Sequence, residues 1–270
     1  MSYKWLLIIP IAVLILSSAV LIYLYQERGE WFLKSIELRG GTVITLERPQ
    51  SITLQEIQSA LPEASIREIK SLTASLVQIQ VPPEEDRDAV LSKLAEMGFR
   101  TEKARIEFIG PALGEAFWQQ TQYAILIALI FMAIIIFAIF RKPLPSFYVM
   151  LCAGSDILVT LAVMQLLSIE LSLPALAALL MLLGYSIDTD IMLTTRVLKG
   201  EEDLGQRIKS AIKTGLTMSG TSLGALLAIW LLSISPILSQ IALVLLIGLS
   251  VDICFTWCQN AVLLRWWVEK

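Results

Sequence analysis

The chain alternates long apolar runs with one polar stretch, and this pattern predicts its layout. Nearly uncharged runs occur at Trp5 to Tyr25, at Thr121 to Phe140, and at about 146–168, 172–194, 211–232 and 236–264. A helix needs about 20 apolar residues to cross the hydrocarbon core of a bilayer, so each run predicts one membrane-spanning helix and the chain predicts six. The first run follows a short N-terminus carrying only Lys4 and is longer than the apolar core of a secretory signal, which predicts a retained anchor.

Between the first two runs the pattern is that of a soluble domain. Val77, Ile79 and Val81 alternate with Gln78 and Gln80, and Ala104, Ile106 and Phe108 alternate with Arg105 and Glu107, the period of half-buried strands. Leu54, Ile57 and Leu61, then Val90, Leu94 and Met97, keep helical spacing, with Ser51 and Pro83 near helix starts. Further strands near 36–47 and 65–71 complete the order strand, helix, strand, strand, helix, strand, the split βαβ or ferredoxin-like plan. The predicted fold class is therefore an α-helical membrane protein of six transmembrane helices with an α+β ferredoxin-like external domain. Residues 1–26 hold the first helix, 27–118 the external domain, and 119–270 a five-helix bundle. Such a domain fold specifies no activity by itself.

Composition agrees, because 56% of the residues are hydrophobic against roughly 45–50% in soluble domains. Charge in the connections sets orientation. The 141–142 turn is Arg-Lys, and the 196–213 loop holds Arg196, Lys199, Arg207, Lys209 and Lys213, whereas the 168–173 loop offers only Glu170 and the 233–236 turn no charge. Short cytoplasmic loops are rich in Lys and Arg, so both termini are predicted inside the cell membrane and residues 27–118 outside. A net charge of −3 leaves no basic surface for nucleic acid, and the absence of histidine removes histidine metal sites, bases and triads. No enzyme activity, cofactor or metal is expected. Cys152, Cys254 and Cys258 lie in apolar runs and read as packing residues.

Two glycine motifs flank the external domain. In "LRGGT", Leu38 to Thr42, Gly40 and Gly41 permit a bulge in the first strand or a close approach by another backbone. In "IGPALGEAFW", residues 109–118, Gly110, Pro111 and Gly114 predict a stiff hinge or collar before the second span.

The intramembrane acids are the candidate chemistry. Asp156 lies in the third span, Asp188 and Asp190 near the cytoplasmic end of the fourth, and Asp252 in the sixth. A centrally placed Asp costs about 2.5–3.5 kcal/mol on insertion scales, so such acids face a bundle interior or a water path. A fourth helix that ends near Asp188 and Asp190 and leaves them half-solvated is the alternative, weighing more on Asp190. In "GLTMSGTSLGA" of the fifth span, Gly220 and Gly224 form a small-x-x-x-small pair beside the hydroxyl of Ser219, and Gly184 sits one turn before Asp188, all features of close helix packing. The predicted centre is built from the third to sixth helices, with protonatable groups able to carry H⁺.

One span, an external domain with a glycine-pair strand, a "GPxLG"-like collar, five further spans, "GYSIDTDIMLTTR" at 184–196, "SGTSL" at 219–223 and "NAVLLRWW" at 260–267 together resemble the SecF family of protein-export subunits. That family belongs to the resistance-nodulation-division (RND) superfamily. The resemblance covers essentially the whole chain, and the Asp-Thr-Asp triplet is closer to archaeal than to bacterial members. It implies an accessory subunit of the Sec translocase that pairs with a SecD-like six-helix subunit, meets a SecYE-type channel, binds unfolded preprotein with its external domain and, in bacteria, couples export to the proton gradient. The bacterial functional acid matches Thr189, flanked by Asp188 and Asp190, and a bacterial basic residue falls near Lys213 and Thr214. Two other readings stand beside this one: an RND-type small-solute or ion transporter working as a homo-oligomer, and a scaffold that only stabilises the translocon.

Overall fold

A computed structural model describes residues 3–49, 52–70, 75–83, 85–232 and 235–270. Among these, six helices are long and apolar enough to span a membrane. They are α1 (Ile8–Arg28), entered through a 3₁₀ turn at Tyr3–Leu7; α5 (Pro111–Phe140); α6 (Pro143–Leu166); α7 (Leu173–Lys199); α8 (Leu204–Leu232); and α9 (Pro236–Phe255), continued through a π-turn (Thr256–Asn260) into α10 (Ala261–Val268). Between α1 and α5 lie α2 (Ile36–Arg39), β1 (Gly41–Glu47), α3 (Leu54–Ala60), β2 (Ser65–Lys70), β3 (Ser75–Val81), α4 (Arg87–Glu96) and β4 (Arg105–Ile109).

The sheet order β2-β3-β1-β4, antiparallel throughout, is the ferredoxin-like arrangement. Helices α3 and α4 cover one face. Ile44 of β1 stands opposite Ile79 of β3, and both pack with Leu46, Ile57, Val77 and Leu94 in the domain core. The opposite face carries Gln78 and Gln80. Helix α3 starts at Thr53, whose hydroxyl accepts from the Glu56 N–H at 3.3 Å while the Glu56 carboxylate accepts from the Thr53 N–H at 2.8 Å, a reciprocal capping box. Helix α4 is capped by Asp86. The expected start at Ser51 lies outside the described residues, and Pro83 precedes the α4 cap by three positions.

Several expectations are corrected. The segment at 36–40 is a helical turn, and the strand begins only at Gly41. The glycine pair serves close approach and not a bulge: a Cβ on Gly41 would lie 2.4 Å from the Val81 carbonyl oxygen, and one on Gly40 2.7 Å from Pro111 Cα. Residues 111–118 are no hinge. Gly110 is the N-cap and Pro111 the first residue of a continuous 30-residue α5, since proline at that position forfeits no helical bond. Gly114 completes the seam, because a Cβ there would lie 2.5 Å from the Gly40 amide nitrogen. Strand β4 forms but is not half-buried: Ile106 and Phe108 are 37% and 65% exposed, lying at the sheet edge outside the helix-covered core. Helix α7 runs on to Lys199 and α8 begins at Leu204, so the expected 196–213 loop shrinks to four residues and Asp188 and Asp190 sit well inside a helix.

The external domain is stapled to the α6–α7 connection. The Ser35 N–H donates to the Leu171 carbonyl at 3.0 Å and the Leu171 N–H to the Leu33 carbonyl at 2.7 Å. The Leu33 N–H reaches Gln165 Oε1 at 2.9 Å, the Leu173 N–H reaches Glu37 Oε2 at 2.9 Å, and the Ser65 hydroxyl reaches Glu170 Oε1 at 2.8 Å. Leu38 drops into the apolar cluster of Met164, Leu171, Leu176 and Leu245. At the other end of the bundle the Tyr3 hydroxyl donates to Glu269, and Arg265 lies 4.2 Å over the Tyr3 ring, so the two ends of the described chain meet.

Overfilling the Gly40–Gly114 seam should cost about 1–3 kcal/mol. Gly114→Ala is expected to lower the thermal midpoint of the detergent-solubilised chain, while Gly154→Ala, where nothing lies within 4 Å of the added carbon, leaves it unchanged or raises it. Equal midpoints for both variants would show that the seam is slack. The Thr53 backbone hydrogen bond holds the Glu56 carboxyl below the usual carboxylate range. A depressed folded value contributes stability above the unfolded pKa, and that contribution is lost as pH falls through the folded value. Glu56→Gln should therefore flatten the acid limb of a stability curve below about pH 4, and an unchanged limb would contradict the capping-box assignment.

Candidate functional site

The polar centre of the bundle is assembled by α6, α7 and the α9–π–α10 helix. Asp156, Asp190 and Asp252 are 1%, 0% and 2% exposed, so all three lie inside the protein and none faces lipid. They are joined through short side chains. Asp190 Oδ1 accepts from Asn260 Nδ2 at 2.7 Å and from the Thr256 hydroxyl at 3.2 Å, and the same hydroxyl lies 3.1 Å from Asp252 Oδ1. Asp156 Oδ2 accepts from the Ser186 hydroxyl at 2.6 Å and also interacts with Asp252. Cys152 Sγ stands 4.0 Å from Thr256 Oγ1.

Helix geometry produces this convergence. Asp252, Thr256 and Asn260 follow one another at four-residue intervals, and the π-turn brings Thr256, Gln259 and Asn260 together into the interior; its signature is the Ala261 N–H bonding back to the Thr256 carbonyl. Single π-turns inside α-helices recur at functional sites. Close helix approach is set by Gly248, where a Cβ would meet Leu182 at 2.4 Å, and by Gly215, where it would meet Trp257 at 2.3 Å.

Hydrogen bonding in the centre is one-sided. A hydroxyl has one proton to donate and a carboxylate accepts only, so Thr256 can serve Asp190 or Asp252 as a donor but not both at once. Asp156 Oδ1, Asp190 Oδ2 and Asn260 Oδ1 are buried with no hydrogen-bond partner among the described residues. The arrangement has more acceptor atoms than donors, an imbalance that a proton on one of the carboxyls would relieve.

The remaining expected site residues fall elsewhere. Asp188 is exposed on the outer face of α7, the reverse of its expected rank against Asp190. Thr189 is buried, but its hydroxyl turns back to the Tyr185 carbonyl at 3.3 Å. Lys213 is exposed on α8. Ser219 is buried, whereas Gly184, Gly220 and Gly224 have nothing within 4 Å of a Cβ position among the described residues; the buried line of α8 runs through Ala211, Gly215 and Ser219 instead. Gly40, Gly41, Thr42, Gly110, Pro111 and Gly114 belong to the external domain and its seam with α5. Ser186, Thr256 and Asn260 were not anticipated as site residues, although polar positions every four residues from Asp252 within an apolar span carry the signal.

Asn260→Leu should remove the amide donor of Asp190 and destabilise the detergent-solubilised chain by about 1–3 kcal/mol. With Asp190→Leu in the same chain the loss should shrink, giving a coupling near 1 kcal/mol in a double-mutant cycle. Strictly additive losses would sever the proposed link.

Comparison with known proteins gives a consistent result. The family model described as protein export membrane protein SecD/SecF, C-terminal, matches residues 89–270. The protein-export membrane protein SecF of Pyrococcus furiosus is 38% identical, the match covering 100% of this chain and 93% of that protein. The SecF of Methanothermobacter thermautotrophicus is 38% identical over 99% of this chain and 93% of its own length. A crystal structure of SecDF from Thermus, a translocon-associated membrane protein, shares the fold with a TM-score of 0.77 at 24% identity, covering 99% of this chain but only 38% of that one. A SecDF structure in a super-membrane-facing form aligns at a TM-score of 0.66 over 97% of this chain. The chain belongs to the SecF family of protein-export membrane proteins.

Proposed function

We propose that the chain is a non-enzymatic subunit of the protein-export machinery that works with a second, SecD-like six-helix subunit beside a SecYE-type channel, and that proton movement through its buried acids drives its external domain. The observation that carries this reading is the Asp156–Asp190–Asp252 centre joined by one mechanical path to the external domain. Helices α6 and α7 supply Asp156 and Asp190, and their connecting loop is the loop that residues 33–37 and Ser65 grip. A change in packing at the acids therefore has a short route out of the membrane.

A second subunit is supported by what this chain leaves open. Asp188, Gly184, Gly220 and Gly224 lie on faces of α7 and α8 that the described residues do not cover, and an exposed carboxylate at membrane depth calls for a polar neighbour. The Thermus SecDF, of which this chain spans 38%, has room for the other half. In this scheme Asp190 is the proton-handling acid of the Asp-Thr-Asp triplet, and Asp188 belongs to the subunit interface. The basic 141–142 turn lies at the same end as residues 265–270, with Lys142 5.1 Å over the Trp267 ring, which supports cytoplasmic termini, an external domain outside and residence in the cell membrane.

Asp190→Asn and Asp252→Asn, expressed in cells dependent on this chain, should each reduce export of a secreted reporter at least tenfold while the chain still co-purifies with its six-helix partner. Asp188→Asn should instead weaken co-purification. Wild-type export by both core variants would make the acids structural and defeat the coupling claim.

A further inference from the structure

Two spaces lie against the bundle. The larger, a cavity of about 700 Å³ between the sheet and the outer ends of α7, α8 and α9, is lined by polar and charged groups as well as apolar ones. The smaller, of about 70 Å³, is a groove with α5 on one side and α6 and α7 on the other. Trp118 and Ile125 of α5, Leu161 of α6, and Leu176 and Leu179 of α7 form its walls, and Phe32 closes it toward the external domain. The surface that it presents is wholly apolar. About 10–15 Å³ of such volume would hold a water, but a water also needs two or more polar partners, and this groove offers none. Its chemistry suits hydrocarbon.

Position and charge narrow the occupant. The groove runs from Trp118 to Ile125 on α5 and from Leu176 to Leu183 on α7, about 10 Å at 1.5 Å per residue. It starts where the apolar run of α5 begins, at Thr121, and descends into the span beside Gln122, which is exposed. A partner helix, about 10–12 Å across, is too thick to enter, whereas a single hydrocarbon chain fits. At the upper end Lys34 Nζ stands 4.8 Å from the centre of the Trp118 ring, and Lys34 makes no ion pair among the described residues. The nearby acid of α5, Glu115, accepts from Gln119 Nε2 at 3.2 Å. A cation beside an aromatic ring, at the mouth of an apolar groove, complements a lipid whose charged head stays at the interface while its chain lies below.

We infer that this groove is a binding site for an anionic membrane phospholipid, with one hydrocarbon chain lying between α5 and the α6–α7 pair and the phosphate meeting Lys34. The groove separates the two attachments of the external domain, because α5 carries the Gly40–Gly114 seam and the α6–α7 connection carries the hydrogen bonds to residues 33–37. The inference uses neither the buried acids nor the export reading, and it is tested on the purified full chain.

The chain in phosphatidylcholine nanodiscs would receive a trace of phosphatidylglycerol carrying a mid-chain diazirine, or phosphatidylcholine carrying the same group. After irradiation, adducts would be mapped by mass spectrometry. Leu176 and Leu179 are buried and line the groove, so a chain reaches them only from inside it. The expected result is phosphatidylglycerol adducts on residues 176–183 at least fivefold above those of phosphatidylcholine. Lys34→Gln should bring the two lipids within twofold of each other at an unchanged thermal midpoint. Leu161→Trp, which fills the groove, should remove adducts on residues 176–183 for both lipids, while Leu126→Trp, at an exposed position of α5 outside the groove, leaves them in place. Adducts confined to exposed residues such as Phe131 and Ile134 would mean surrounding lipid only and would overturn the site. Equal labelling by both lipids in the wild type, or a phosphatidylglycerol preference that survives Lys34→Gln, would overturn it as well.

Discussion

Everything in this bundle is arranged around the difficulty of keeping carboxylates inside a membrane. Each centrally placed Asp costs about 2.5–3.5 kcal/mol to insert, and the chain carries three of them in its interior. The cost is offset by enclosure and by shared donors: Asn260 and Thr256 serve Asp190, Thr256 also reaches Asp252, and Ser186 serves Asp156. That requirement explains why α6, α7 and α9 form the centre while α1, α5 and α8 stay largely at the periphery. It also explains the glycines at 215 and 248, which let neighbouring helices close on the polar residues.

The same helices carry the mechanical consequence. In the proposed coupling, a proton gained or lost would change which carboxyl Thr256 serves, and the helices that would adjust are those whose connection the external domain grips. A tight seam of Gly40, Gly41, Pro111 and Gly114 ties the domain to α5 as well, so the domain stands on two supports. Relative motion of those supports would tilt it over the cavity between sheet and bundle.

Much of this was legible in the sequence. Six spans, the ferredoxin-like order and the burial of Asp156 and Asp252 follow from run lengths, from alternation and from isolated charges in apolar helices. The choice between Asp188 and Asp190 was not, because residues two apart on a helix face nearly opposite sides and the sequence does not say which side meets the chain's own core. Gly220 and Gly224 misled for the same reason: their spacing marks a contact face but not whose helix it meets. The π-turn left no trace in hydropathy, and only its register brings Asn260 to Asp190. Residues 111–118 read as a hinge because Pro and Gly usually break helices, yet at the first helical position Pro is tolerated and the two glycines answer to a cap and a tight contact.

The central claim, that the three buried acids move the external domain as one unit, is tested most directly by a distance. Spin labels at Ser59 on α3 and at an exposed position on α8 such as Leu227 would report the height of the domain by pulsed electron resonance. The chain would be reconstituted in vesicles with its six-helix partner, with and without a pH gradient. The account predicts a gradient-dependent shift in wild type that disappears in Asp190→Asn and equally in Asp252→Asn. A shift that survives in either variant, or no shift in wild type, would contradict it.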